Sequence, residues 1–163
     1  PNVLKTEGEK YRESLKKKNR ELGIRKNVKF INKYLTLDEL VSWLRVIDIY
    51  ITPYLEKQQC SSGALAYAIG AGKICISTGY LYAKEVLGKN RGIIVPFKDA
   101  GAIAKSVIKI WGQPEKKKKK KKKAYEYGRF MTWPSVALQH LDFFNEIIRK
   151  NANKNKKTAR LSS

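Results

Sequence analysis

The sequence predicts an α/β fold, a Rossmann-like three-layer domain with a parallel sheet and helices on both faces. Short runs rich in β-branched residues alternate with stretches of helical spacing, which is the order of a parallel sheet covered on both sides. The joints between these runs are short. At 163 residues and 42% hydrophobic composition, the chain is long enough for one genuine core.

The elements follow in order. Thr6-x-x-Glu9 is a capping box, Tyr11, Leu15 and Leu22 form an apolar stripe, and Gly23 is a C-terminal stop. Val28-Lys29-Phe30-Ile31 is a short strand. Thr36-x-x-Glu39 is a second capping box with Leu35 and Leu40 at hydrophobic-staple positions. Leu37, Leu40, Val41 and Leu44 then share one helical face. Ile49-Tyr50-Ile51-Thr52 is a strand closed by Pro53, and residues 60–71 read as a helix entered through Ser61-Ser62-Gly63. Ile74-Cys75-Ile76-Ser77 and Gly92-Ile93-Ile94-Val95 are two further strands, the latter stopped by Pro96. Asp99 caps a helix whose Ile103, Val107, Ile110 and Trp111 share a face. A Lys-rich helix candidate runs from Pro114 through Tyr127, although eight adjacent like charges oppose it and favour a loose segment. Pro134 lies near the start of a last helix carrying Leu141, Phe144 and Ile148. The domain is expected to span residues 1–148, with a basic, disordered tail over 149–163.

Charge is the unusual quantity. The formal net charge is +21, and removing the eight charges of Lys116–Lys123 still leaves +13. Such a surface attracts polyanions without specifying them: nucleic acid, anionic lipid headgroups or phosphorylated substrates. Solvated, Lys-rich helical faces explain the same excess. Nucleic acid is disfavoured, because the basic residues are not interleaved with aromatics and no nucleic-acid motif occurs. Cys60 and Cys75 form neither a disulfide framework nor a metal-ligand spacing, so a reduced, cytoplasmic thiol pair is expected. No apolar run is long enough to span a bilayer, and the first residues do not read as a signal peptide. The expected location is cytoplasmic, with peripheral contact at an anionic membrane surface as one option. The absence of an initial Met suggests a fragment or a processed chain.

In open parallel sheets, ligands bind where strand carboxyl ends meet helix N-termini. The richest such loop runs from Pro53 to Gly63 and opens the small-residue helix Ala64-Leu65-Ala66-Tyr67-Ala68-Ile69-Gly70-Ala71. Unpaired first-turn N–H groups there favour an anion, Ser61 and Ser62 add donors, and Gly63 removes a side chain where a diphosphate would lie. Ser62 also reads as a simple N-cap, and Ala64–Gly72 as close packing against a sheet. Neither a Walker loop nor a G-x-G-x-x-G fingerprint occurs. His140 lies mid-helix and reads as a packed or half-exposed side chain. Cys60 lacks a nearby His, which argues against a nucleophilic role.

The stretch from Val28 to Asp99 resembles the C-terminal, donor-binding half of a GT-B glycosyltransferase, of the retaining family four. Val28–Tyr34 followed by Leu37-Asp38-Glu39-Leu40 is similar to that family's strand, nucleotide-facing loop and capped helix. Asp48-Ile49-Tyr50-Ile51-Thr52-Pro53 is similar to its next strand. Ala68–Thr78 is similar to its small-residue helix running into a "G-x-P-V-V-x-T" strand. Glu85, Gly92–Pro96, Asp99 and Trp133-Pro134 follow in the family's order.

The resemblance implies retaining transfer of a hexose from a nucleotide-diphosphate sugar to a glycan or lipid-linked acceptor. It implies no metal and no cofactor beyond the donor. Ser61, Ser62 and Gly63 would hold the donor diphosphate, Gln59 would orient the sugar as a stand-in catalytic residue, and Asn32, Lys33 and Tyr34 would face the base. Two family glutamates align with Gln59 and Tyr67, so Tyr67 occupies the ribose position with a poor substitute for a carboxylate. By the same resemblance the first strand of the domain and the N-terminal GT-B domain, a necessary partner, are missing. The chain alone is then expected to transfer nothing. A basic polyanion-binding module and an inactive glycosyltransferase-like scaffold are the alternatives.

Overall fold

The computed structural model describes residues 8–161 and divides into two compact units, 1–40 and 41–163. Thr6 of the first expected capping box lies outside the described residues.

In the first unit, α1 (Gly8–Glu21) ends as its glycine foretells. Gly23 sits at φ +67°, and its N–H and that of Ile24 bond back to the carbonyls of Arg20 and Asn19 at 3.0 and 3.3 Å. This is the paired closure of a Schellman end. A 3-10 turn, Arg25–Asn27, follows. The strand expected at Val28–Ile31 does not form. Val28 has extended dihedrals, φ −122° and ψ 123°, yet Val28, Phe30 and Ile31 remain roughly two-fifths exposed. β-Branched and aromatic composition favours extended backbone, but a strand exists only by pairing, and no ladder forms here. The second capping box is present: Thr36 N–H donates to Glu39 Oε2 at 3.0 Å, and Glu39 N–H to Thr36 Oγ1 at 3.3 Å. It opens α2 (Leu37–Val46), whose Leu44 is buried.

The second unit is built on a parallel sheet in the order β1-β2-β3, with β1 at Ile49–Thr52, β2 at Ile74–Thr78 and β3 at Ile93–Val95. Ile49 pairs with Ile74, and Ile76 with Ile93. All five residues of β2 are buried. Successive strand side chains point to opposite faces, so this burial requires cover on both. The cover comes from α3 (Gly63–Gly70), α4 (Leu81–Leu87), α5 (Ala100–Trp111) and α6 (Pro114–Arg129). Asp99 caps α5 as expected, accepting from Ala102 N–H at 2.7 Å. Nothing in the sequence reading announced α4. Its N-cap, Tyr80, makes no side-chain cap bond, so the usual start signal is missing.

The Lys run is helical, which corrects the expectation of a loose segment. Lysine is a good helix former, and the inner row of α6 is neutralised or packed. Lys117 pairs with Asp48 at 2.8 Å, and Lys120 donates to the Gly92 carbonyl at 3.1 Å and to Asn90. One and two turns further on, Ala124 and Gly128 are buried. The Asp48 carboxyl is held below its ordinary range, first by its hydrogen bond from Lys117 and then by that ammonium's charge.

The last helix, α7 (Trp133–Leu161), does not stop near residue 148. In place of the disordered tail expected from residue 149, helical backbone continues to Leu161. Leu141, Phe144 and Ile148 lie on one face and are exposed. His140 is exposed as well, with Nδ1 2.8 Å from the Val136 carbonyl one turn earlier. Among the described residues, no helix is long and apolar enough to cross a membrane.

Helices α3 and α6 meet at a glycine. A Cβ added at Gly128 would lie 2.7 Å from Gly70 Cα and 3.1 Å from both Gly70 N and the Ile69 carbonyl oxygen. Backbone cannot swing aside, so Gly128→Ala should cost about 1–3 kcal/mol of overpacking. A Cβ at Gly70 would meet nothing within 4 Å, so Gly70→Ala should be neutral or stabilising through helix propensity. Thermal melting of the two variants checks this asymmetry. Equal effects would show that the crossing is not set by Gly128.

Candidate functional site

The carboxyl ends of β1 and β2 are tied together by hydroxyl groups buried where a strand would ordinarily carry apolar side chains. Thr52 Oγ1 donates to Ser77 Oγ at 2.8 Å, and Ser77 Oγ donates to the Thr52 carbonyl at 2.9 Å. Each buried polar atom is thereby satisfied, as burial demands. Pro53 then ends β1, having no N–H to extend the ladder.

The chain next runs out through residues 53–62 before α3 begins. This loop is not free. Thr78 Oγ1 donates to the Tyr54 carbonyl, Leu81 N–H to the Lys57 carbonyl at 3.1 Å, and Tyr82 N–H to the Gln59 carbonyl at 3.2 Å. Three carbonyls of the loop are therefore held by the end of β2 and the segment that starts α4. The bonds also satisfy first-turn N–H groups of α4, which explains a helix without a capping side chain. The Tyr54 ring packs against Tyr80 at 5.3 Å between centroids. Tyr80 is fully buried, and its hydroxyl has no hydrogen-bond partner among the described residues.

The loop delivers the expected diphosphate residues to one place. Ser62 is the N-cap of α3, its hydroxyl accepting from Leu65 N–H at 3.3 Å. Ala66 N–H bonds to the Ser62 carbonyl at 3.0 Å. The hydrogen of the Ser62 hydroxyl and the N–H groups of Gly63 and Ala64 have no acceptor among the described residues. They lie at the positive end of the helix dipole. Ser61 and Gly63 are exposed, and a Cβ added at Gly63 would meet no atom within 4 Å. Gln59 is half-buried beside this turn, its side-chain Nε2 donating to the Ser61 carbonyl at 2.9 Å. Its Oε1 remains available as an acceptor. Tyr67 stands two turns along from Ser61, 47% exposed on α3.

Helix α3 is short because both its ends are fixed. At its far end Gly72 has φ +66°, and Gly72 N–H and Lys73 N–H return to the carbonyls of Ile69 and Ala68, each at 2.9 Å.

Asn32, Lys33 and Tyr34 belong to the first unit. All three are exposed, and Lys33 is ion-paired with Glu39. That pairing, followed by the Thr36 N–H bond, holds the Glu39 carboxyl below its usual range.

The two thiols differ. Cys75 lies in β2, and burial pushes its thiol up to about 12, which keeps it neutral and inert. Cys60 is exposed immediately before the serine pair. Burial also raises the Tyr50 hydroxyl, with smaller contributions from Tyr54, Cys75 and Tyr80. Among the described residues, no group of three or more His, Cys, Asp or Glu side chains is assembled around a point that could hold a metal ion.

The turn is legible in the sequence, and the hydroxyls behind it are less so. The available signal was Ser77-Thr78 closing an otherwise apolar strand, opposite Thr52 at the end of its neighbour.

Several solved structures share this fold. A glycosyltransferase from Rickettsia africae ESF-5 superimposes with a TM-score of 0.71 at 17% identity, over 88% of this chain and 38% of that one. Sucrose-phosphate synthase from Thermosynechococcus elongatus gives 0.70 at 17%, over 86% and 35%. The C-terminal domain of a glycosyl transferase group 1 family protein from Francisella tularensis gives 0.65 at 20%, over 78% and 62%. The chain thus spans between about one third and three fifths of the length of these structures. At such identities the likeness shows the fold alone, that of GT-B glycosyltransferase domains. No curated protein sequence matches. The sequence pattern of glycosyl transferases group 1 does match, over residues 3–113, well over half of the chain. On that match, the chain belongs to the glycosyl transferases group 1 family.

Proposed function

We propose that this chain is the donor-binding half of a retaining, family-four glycosyltransferase that moves a hexose from a nucleotide-diphosphate sugar to a glycan or lipid-linked acceptor. The observation that carries the reading is the entrance of α3. Ser62 caps the helix, the N–H groups of Gly63 and Ala64 have no acceptor among the described residues, and a Cβ added at Gly63 would meet no atom within 4 Å. Main-chain donors and a helix dipole suit a diphosphate, whose negative charge grows as the sugar bond breaks. Gln59 would orient the hexose through its free amide oxygen. Asn32, Lys33 and Tyr34 would face the base, and transfer would need the second domain of the GT-B fold. Tyr67 favours a second reading, a scaffold without activity, because it stands where a ribose-binding carboxylate is expected. Transfer or hydrolysis of a sugar donor would eliminate that reading.

Calorimetric titration with UDP, GDP and ADP tests the donor site, and binding of one of them in the millimolar range or tighter is expected. No binding by any of the three would sink the proposal. Gly63→Val should abolish binding with little change in melting temperature, since the added side chain enters open space rather than the core.

Cys60 gives an independent readout. Alkylation near pH 8 should modify Cys60 and spare Cys75, and the bound nucleotide should slow the reaction severalfold. An unchanged rate at saturating nucleotide would place the ligand away from the serine turn.

The loop bonds make a further prediction. Thr78→Val leaves the Tyr54 carbonyl without its donor, at a cost of about 1–3 kcal/mol in stability. It should weaken binding of the sugar nucleotide more than that of the bare nucleotide, because the loop carries Gln59. Thr78→Ser should restore both. Equal weakening of the two ligands would show that the loop does not position the sugar.

A further inference from the structure

We propose that the outward lysines of α6, namely Lys116, Lys118, Lys119 and Lys122, form a docking surface for an anionic lipid bilayer. Helical periodicity sorts the run into two rows. Lys117 and Lys120 turn toward the body of the second unit, where Asp48, Asn90 and the Gly92 carbonyl receive them, and Lys121 is half-buried alongside. Lys116, Lys118, Lys119 and Lys122 are exposed and line an open groove with Glu115. Among the described residues, only Lys122 of these four is ion-paired, with Glu126 at 3.8 Å.

These charges belong to a fixed helix rather than to a loose segment. Gly128 seats α6 against Gly70, and the 16 residues of the helix extend about 24 Å. Its outer row is therefore a rigid bar of ammonium groups.

The chemistry of the bar selects its partner. Ammonium groups are compact, hydrated point charges, suited to the diffuse field of a lipid surface. The run contains no arginine fork for phosphate or base edges and no aromatic ring on which a base could stack, which disfavours nucleic acid. Exposed aromatics instead lie just outside the helix, Trp111 before it and Phe130 after it. Aromatic side chains of that kind favour the headgroup region of a bilayer.

Co-sedimentation of the 163-residue chain with lipid vesicles tests the proposal. Vesicles of phosphatidylcholine containing phosphatidylglycerol should retain the chain at low salt and release it at high salt, and pure phosphatidylcholine should not retain it. Each surface lysine strengthens such binding about fivefold. Replacing all four (Lys116→Gln, Lys118→Gln, Lys119→Gln, Lys122→Gln) should therefore weaken it on the order of a hundredfold or more, with the helical circular dichroism unchanged. A charge-matched control, Lys10→Gln, Lys18→Gln, Lys26→Gln and Lys29→Gln, should bind nearly as the parent does. The proposal is overturned if the parent ignores anionic vesicles or if the two quadruple variants lose binding equally. Tighter binding of homopolymeric RNA than of vesicles at the same salt, through the same four lysines, would overturn it in favour of nucleic acid.

Discussion

Two helices can approach until backbone meets backbone only where the crossing carries no side chain. Gly128 of α6 supplies that condition against Gly70 of α3, and much of the second unit follows from it. With α6 seated there, one row of its lysines reaches Asp48, Asn90 and the Gly92 carbonyl. The other row is left facing water. The same contact holds α3, whose entrance carries the serine turn. A packing constraint at the far end of a short helix thus bears on the geometry at its near end.

That near end is held from a second direction. Buried hydroxyls at the ends of β1 and β2 lock the strands together, and the segment leaving β2 grips three carbonyls of the loop from Tyr54 to Gln59. A loop so anchored pays little ordering cost when a ligand arrives. The anchoring also accounts for the brevity of α3, which is fixed by Ser62 at its start and by Gly72 at its end. Preorganised main-chain donors, rather than charged side chains, are the resource this turn offers an anion. In the proposed donor site the sugar would fall to Gln59 and the ribose to Tyr67, neither of which carries the charge of the glutamates expected there.

The legible parts of this fold were those written in local code. The strands at Ile49, Ile74 and Ile93, the caps at Thr36, Ser62 and Asp99, and the stop at Gly23 each depend on a few neighbouring residues. What escaped depends on distant ones. Val28–Ile31 has strand composition, but pairing is a property of two segments. Helix α4 is opened by carbonyls from residues 57 and 59, more than twenty positions earlier. The Lys run looks unfavourable in isolation and becomes helical through Asp48, Asn90, Gly92 and Gly70. For the candidate site, the turn itself was legible because hydroxyls and glycine at a helix entrance are a local pattern. The hydroxyl tie behind it was not, since Thr52 and Ser77 meet only across two paired strands.

The division of the Lys run into two rows has a consequence for how its length can vary. A homopolymer invites gain or loss of single residues, and in a solvated linker such changes would be silent. Here each added or deleted lysine turns everything beyond it by 100° about the helix axis. A single step would carry Gly128 away from Gly70 and turn Ala124 out of its buried place, or break the reach of Lys117 to Asp48, depending on which side yielded. Eight identical residues, the least informative stretch of the sequence by composition, are thus a spacer of defined phase.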